Sequence, residues 1–267
     1  KKSALEASNS SLYKVITAIA MFYDLDDPLA FLSEIESSLA SDGIFCVQIS
    51  YLPASIRKLN FYDVIHEHLL YYTLNTFNYL VARHNLYIFD VSFNEVNGGS
   101  ARIFLAHKGN ARPVSRQVNE ILKAESSMKL SHIAAYKGFF KKIQNLKKIT
   151  RRVITDEKKK GGLVIGLGSS TKGNVLLQFF NINKKLLPYI SERNSKKFGL
   201  RTLGTDIQLI SEEEARQLNP SCMLVLIWFF KDEILKREKE YLQKGGKLLF
   251  PMPYPHFVTK DGEYKIF

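Results

Sequence analysis

The stretch from Val114 to Lys160 holds no proline, one glycine and apolar residues recurring at helical spacing, so it reads as two helices in succession. Gly161-Gly162 ends it. On either side the texture is different: short apolar runs of strand type alternate with helical segments, the pattern of α/β structure. The chain is therefore expected to divide into an α/β unit over residues 1–112, a helical connector over 113–160, and a second α/β unit over 161–267.

Within the first unit, Lys14 to Phe22 reads as a buried strand. Asp27 and Pro28 are placed to cap and open a helix whose Leu29, Leu32, Ile35 and Leu39 share a face. Ser41-Asp42-Gly43 reads as a stop before a strand over Ile44 to Ile49. Phe77 to His84 reads as a helix. Leu86 to Phe93 and Ala101 to His107 are strands that can pair as a hairpin across Asn94 to Gly99. The second unit reads as strand Leu163 to Leu167, a glycine turn, helix Gly173 to Phe180 and strand Leu187 to Ile190. Helix Ser211 to Gln217, strand Met223 to Phe230, helix Asp232 to Gln243 and strand Lys247 to Phe250 follow. Trp228-Phe229-Phe230 is thus read as core strand, and the proline-rich Phe250 to Phe257 as a rigid tail.

Charge narrows the function classes. The formal net charge is +12, but ten basic residues against Asp156 and Glu157 place +8 of it between Lys137 and Lys160. The excess belongs to one helix face and lacks the interleaved aromatics of a nucleic-acid module, so a nucleic-acid partner is not expected. With 45% hydrophobic residues a core can form. No apolar run approaches the roughly 18 residues of a membrane span, and the first residues do not read as a secretory leader. Cys46 and Cys222 sit in apolar runs as small buried hydrophobes, which points to a reducing, cytoplasmic setting.

Three segments could carry chemistry. Tyr62 to Tyr72 contains His66, Glu67 and His68 together with Tyr62, Tyr71 and Tyr72. Imidazole moves protons near neutral pH and a neighbouring carboxylate orients it, so proton transfer is one reading; a polar structural loop and a metal site are the others. Helical zinc sites want histidines at i and i+4, which this spacing does not provide. The second segment, Gly166 to Asn174, follows a strand and opens a helix. Its glycines permit a sharp turn and its free amides attract phosphate, with Lys172 as a mobile cation and Glu192 placed as a ribose-binding acid. The order of residues is neither a P-loop nor G-x-G-x-x-G, so a tight strand-helix turn is an equal reading. The third, Asn94 to Ser100, is a polar turn or a substrate-facing rim. His84, His107, His132 and His256 have no partner pattern and read as structural.

Taken in order, MFYDLDDPLAFLSEI, DGIFCVQISYLP, YDVIHEHLLYYTL, FNEVNGGSARIFLAHKG, GSSTKGNVLLQFFNI, ERNSKKFGL, LGT and GGKLLFPMPYP resemble the sugar-nucleotide C-methyltransferases of deoxysugar biosynthesis, from about residue 11 to 258. These are class I S-adenosylmethionine (SAM) enzymes. The resemblance implies the later part of a Rossmann-like SAM domain, a helical connector, and a second Rossmann-like domain that encloses a nucleotide-linked sugar. The family's zinc-binding cysteines and glycine-rich SAM motif are not found in this sequence. Zinc is accordingly expected only in an N-terminal part outside it, no metal is expected here, and this stretch by itself is not expected to bind SAM well.

The resemblance further implies methyl transfer to the carbon beside the ketone of a nucleotide-linked 4-keto deoxysugar, through an enolate. His68 matches the family's base, Glu67 would tune it, and His66 would contact substrate. Ile65 stands where the family carries a tyrosine, which leaves the enolate stabiliser open among Tyr62, Tyr71 and Tyr72. Met21, Phe22 and Tyr23 would line the SAM pocket at a strand end. Asn97, Gly98, Gly168, Ser169, Ser170, Thr171, Lys172 and Asn174 would face the nucleotide sugar, with Lys172 at its diphosphate. Two other readings stay open: a non-catalytic nucleotide-sugar-binding module, and a nicotinamide-dependent oxidoreductase built on the Gly166 turn. Oligomeric state is not legible.

Overall fold

The structure is a computed structural model that describes residues 12–266. Its contacts divide the chain into two compact units. One runs to Phe61 and resumes from Ile65 to Phe139; the other takes Tyr62–Val64 together with Phe140–Phe267. Each has its own sheet, so the fold is mixed α/β.

In the first unit, β1 (Tyr13–Ile19), β2 (Leu39–Ser50), β3 (Leu86–Asn94) and β4 (Ser100–His107) form a sheet of order β1-β2-β4-β3. The first pair is parallel and the rest antiparallel, with β3 and β4 forming the expected hairpin. β1 is not the buried strand expected: it lies at the sheet edge with Tyr13, Val15 and Ile19 exposed, and it is shorter than its apolar run because Ala20 turns left-handed at φ 54° and Phe22–Asp24 continues as a 3-10 turn. Helix α1 (Pro28–Ser38) starts as expected: the Asp27 carboxylate accepts from Leu29 N at 3.1 Å and Ala30 N at 2.9 Å. Leu32, Ile35 and Leu39 are buried, whereas Leu29 is exposed.

Ser41-Asp42-Gly43 is not a stop. β2 begins already at Leu39 and carries an irregularity there, with Tyr13 opposite Leu39 and Val15 opposite Ile44. A Cβ at Gly43 would lie 2.9 Å from the carbonyl oxygens of both Ala40 and Tyr13, so the residue permits close backbone approach inside the strand. Helix α2 (Leu52–Lys58) has no counterpart in the sequence reading, and α3 (Leu74–Val81) starts three residues earlier than expected because Thr73 and Thr76 make a capping box. The core of this unit joins Phe22, Phe45, Tyr72, Phe77, Leu86, Ile103 and Leu105. The expected helix pair is present as α4 (Arg116–Met128) and α5 (Ala134–Lys159), and the division between the units falls within α5.

The second unit contains β5 (Val164–Leu167), α6 (Thr171–Phe180), β6 (Tyr189–Glu192), β7 (Gln208–Ser211), α7 (Glu212–Gln217), β8 (Cys222–Val225), α8 (Lys231–Arg237), α9 (Lys239–Gln243), β9 (Lys247–Phe250), β10 (His256–Thr259) and β11 (Gly262–Lys265). Its sheet has the order β11-β10-β9-β8-β5-β6-β7, parallel from β9 to β7. β5 and β8 are buried at every position, as strands covered on both faces must be.

Three expectations for this unit differ from the structure. The apolar run after Met223 is strand only to Val225, since Trp228–Phe230 is a 3-10 turn with Phe229 and Phe230 exposed. The helix expected over 232–243 is two short helices, α8 and α9. The proline-rich tail leads into an antiparallel hairpin, β10–β11, that extends the sheet. β7 was not anticipated at all. Both cysteines are free; Cys46 is half-buried, and burial pushes the fully enclosed Cys222 thiol up to about 12. No helix among the described residues is long and apolar enough to cross a membrane.

Candidate functional site

In the first unit the chain leaves β1 at its carboxyl end and forms the turn Met21 to Asp24. The Tyr23 carbonyl accepts from Leu69 N at 3.0 Å and Leu70 N at 3.1 Å, which brings the histidine segment against this turn. The His68 ring meets the Tyr23 ring edge to face, with centroids 4.6 Å apart. His68 N donates to Ile65 O at 3.2 Å, closing a turn that leaves His66 and Glu67 exposed and His68 half-buried.

The sequence reading missed Asp24. Partial burial lifts its carboxyl above the usual carboxylate range, while the charge of His68 opposes this and that of Glu67 adds to it. Its signal was hidden in Asp24-Leu25-Asp26-Asp27, a run that reads as polar loop and helix cap.

The expected SAM-lining residues separate. Phe22 is fully enclosed among Phe31, Tyr72 and Phe77. Tyr23 is 6% exposed, and only Met21 is half-buried. Phe22 is part of the core and the Tyr23 ring packs on His68, so of the three only Met21 keeps a partly exposed side chain.

The three tyrosines also part. Tyr71 is exposed and lines a cavity of about 340 Å³ with Thr73, Asn75, Glu125, Lys129 and Tyr136. Tyr72 is 4% exposed, and its hydroxyl finds no hydrogen-bond partner among the described residues; burial pushes the phenol up to about 12. Removing an unpaired buried hydroxyl is expected to help: Tyr72→Phe should raise stability by about 1 kcal/mol, read from the urea midpoint. Tyr62 belongs to the second unit.

In the hairpin turn, Asn60 Nδ2 donates to Gly98 O at 3.0 Å and Ser100 Oγ to Val96 O at 2.8 Å. The turn is tied down by these bonds. The Asn97 side chain lies outside the described residues.

In the second unit the strand order reverses between β5 and β8, and in open α/β sheets ligands bind beyond the strand carboxyl ends at such a point. The Gly168 to Asn174 turn stands there. Gly168 has φ 76°, and a Cβ on it would meet Ile227 at 2.6 Å, so the position demands glycine twice over. Ser170 Oγ caps α6 by accepting from Gly173 N at 2.9 Å, and donates to Leu226 O at 3.0 Å. Thr171 is exposed at the helix start, and Asn174 Oδ1 is buried without accepting from any described residue.

Lys172 is already engaged. Its ammonium lies 2.9 Å from the buried Asp63 carboxylate and over the rings of Phe229 and Tyr62, at 4.7 Å and 5.5 Å. Tyr62 packs edge to face on Trp228 and Phe229. Burial and the Asp63 charge hold its phenol far above the ordinary range against a hydrogen bond with Trp228, so it is a neutral group. The structure thus groups Tyr62 with Lys172 in the second unit, and His66, Glu67 and His68 with Tyr23 in the first.

Glu192 is saturated as well. Its carboxylate accepts from Ser169 N at 3.1 Å, Arg193 N at 2.8 Å, Asn194 N at 2.9 Å and the Ser169 hydroxyl, with Lys197 Nζ at 3.9 Å. Burial raises its pKa, and these hydrogen bonds outweigh that and leave it lowered. A depressed carboxylate stabilises the fold above the unfolded-state value of about 4.3, and that contribution disappears as pH falls through the folded value. Wild type should therefore exceed Glu192→Gln in urea stability at neutral pH, with the gap closing below about pH 4.

A larger cavity of about 590 Å³, lined by Arg216, Asn219, Arg237, Tyr241 and Lys244, opens near the amino ends of β8 and β9, away from the Gly168 turn. Of the histidines read as structural, His107 Nε2 donates to Leu39 O at 3.0 Å and His256 Nδ1 to Tyr254 O at 2.8 Å. Among the described residues no group of three or more His, Cys, Asp or Glu could hold a metal ion.

Residues 95–253 match the family model described as C-methyltransferase C-terminal domain. The C-methyltransferase NovU of Streptomyces niveus is 28% identical over 255 residues, covering 96% of this chain and 61% of that protein, so the chain spans less than two thirds of this relative. Among solved structures, the plantazolicin methyltransferase BpumL, in complex with a pentazolic desmethylPZN analog and SAH, matches at 14% identity and a TM-score of 0.28. That match covers 38% of this chain and 55% of the other, too slight a likeness to bear on the site.

Proposed function

Because the chain belongs to the C-methyltransferase C-terminal domain family, we propose that it works in C-methylation of a nucleotide-linked 4-keto deoxysugar, with His68 as the base. SAM supplies the electrophilic methyl group in this reaction. The chain's own residues do the rest: His68 takes the proton from the carbon beside the ketone, which becomes an enolate carbon ready for methylation. The observation that carries the reading is the placement of His68 against the turn that follows β1, its ring packed on Tyr23, with its charge acting on the Asp24 carboxyl. A carboxylate beside an imidazole stabilises the imidazolium that proton abstraction creates.

The nucleotide is assigned to the Gly168 to Asn174 turn, supported by its place at the sheet's reversal point. Ser169, Ser170, Thr171 and Asn174 are its polar groups, while Lys172 serves to anchor Asp63. Asn97, Gly98 and His66 are kept as substrate-facing positions, and the enolate stabiliser is drawn from Tyr62, Tyr71 and Tyr72. A cytoplasmic location suits this chemistry and the two free cysteines.

A second reading has one observation in its favour. Phe22 is sealed in the core and presents no side-chain face to a cofactor, which favours a nucleotide-sugar-binding module. The test is to incubate the protein with methyl-labelled SAM and a nucleoside-diphosphate 4-keto deoxysugar. The expected product carries the label on the carbon next to the ketone. Sugar-nucleotide binding without transfer would support the module reading and overturn the enzymatic one.

A further inference from the structure

The chain leaves the sheet after Tyr51 and comes back at Tyr72, which pairs with Tyr51 in a parallel bridge; Leu52 N donates to Tyr72 O at 2.9 Å. His66, Glu67 and His68 ride on this excursion. Its neck is closed by a residue distant in sequence, Glu125 of α4, which is 5% exposed. Glu125 Oε1 accepts from Tyr51 Oη at 2.7 Å, on the outgoing side, and from Leu74 N at 2.8 Å, on the returning side. Oε2 accepts from Asn75 N at 2.8 Å and Asn75 Nδ2 at 2.9 Å. One carboxylate thus satisfies two backbone amides and one side-chain amide at the start of α3 and the Tyr51 phenol just past β2. Every lone pair is used, and each bond is charge-assisted.

We propose that Glu125 is a positioning residue for His68: by closing the neck of the excursion it fixes the return path through Leu69 and Leu70, and so the seat of the imidazole on Tyr23. The inference rests on the reading of His68 as the base. Two links carry it. Leu74 and Asn75 are held by Glu125, and a few residues upstream Leu69 and Leu70 are held by Tyr23 O. Between these anchors the backbone has little freedom, and His68 adjoins the second one. A glutamine at 125 would turn one acceptor into a donor facing the Asn75 amide groups, opening the neck without removing bulk.

The test is to follow the His68 ring signals and amide hydrogen exchange by NMR in the full chain, wild type against Glu125→Gln. In wild type the Tyr23 ring, 4.6 Å away between centroids, should shift the His68 signals. In the variant these should move to the position of an exposed imidazole, and Leu69 and Leu70 amides should exchange at least about tenfold faster while β3 and β4 keep their protection. Tyr51→Phe, which removes one bond of the set, should shift both readouts in the same direction by less, and serves if Glu125→Gln does not fold. If Leu74 and Asn75 exchange faster but Leu69, Leu70 and the His68 ring stay as they were, Glu125 only caps α3 and the proposal is wrong. These readouts report position without turnover, so the clamp can fail while His68 remains the base, and the reverse.

Discussion

Replacing His68 with alanine should lower solvent-deuterium exchange at the carbon beside the ketone of a 4-keto sugar nucleotide by about 10²- to 10⁴-fold, the usual contribution of a positioned general base. Exchange isolates proton abstraction from methyl transfer, so the result does not depend on how the methyl donor is held. Glu67 and His66 provide the comparison. Both are exposed at the tip of the turn, so Glu67→Gln and His66→Ala should cost far less than His68→Ala. Asp24 is the carboxylate whose ionisation responds to His68, and Asp24→Asn should fall between these limits. Exchange that survives His68→Ala undiminished would remove His68 from the reaction.

Lys172→Met should destabilise the second unit by about 3 kcal/mol, because the buried Asp63 carboxylate loses the ammonium beside it. Methionine keeps the apolar stem, so the effect isolates the charge. Asp63→Asn in the Lys172→Met background should recover much of the loss, since the buried charge is then gone; urea denaturation of the four proteins measures the coupling. A diphosphate-binding lysine gives a different pattern: unchanged stability and weakened nucleotide-sugar affinity. That pattern would return Lys172 to the ligand.

What the sequence disclosed and what it concealed follow the range of the interactions. The β3–β4 hairpin and the Asp27-Pro28 helix start were legible because their chemistry is local: a turn with two glycines, a cap two or three residues from the amides it serves. The helix pair was legible for the same reason. Gly43 misled because a glycine in a bulged strand and a glycine in a turn look alike without the opposite strand. Trp228-Phe229-Phe230 misled because three aromatics suggest strand, whereas here the turn offers its rings to Tyr62 and Lys172. In the candidate site, the HEH cluster was visible but its partners were not. Tyr23 lies 45 residues before His68, and Glu125 lies 50 residues beyond Asn75. Lys172 was visible as a cation in a glycine-rich turn, yet Asp63, which engages it, sits on a segment that spacing groups with the histidines.

The second unit's inclusion of Tyr62–Val64 also bears on how the chain can be cut. A fragment beginning at Phe140 would have the whole seven-stranded sheet and yet lack the ring between Trp228 and Phe229 and the acid on Lys172. On the ribosome the same dependence sets an order of events: Tyr62 and Asp63 emerge long before β5, α6 and the Trp228 turn exist to receive them. They must wait, solvated, until the chain has been made through the Trp228 turn.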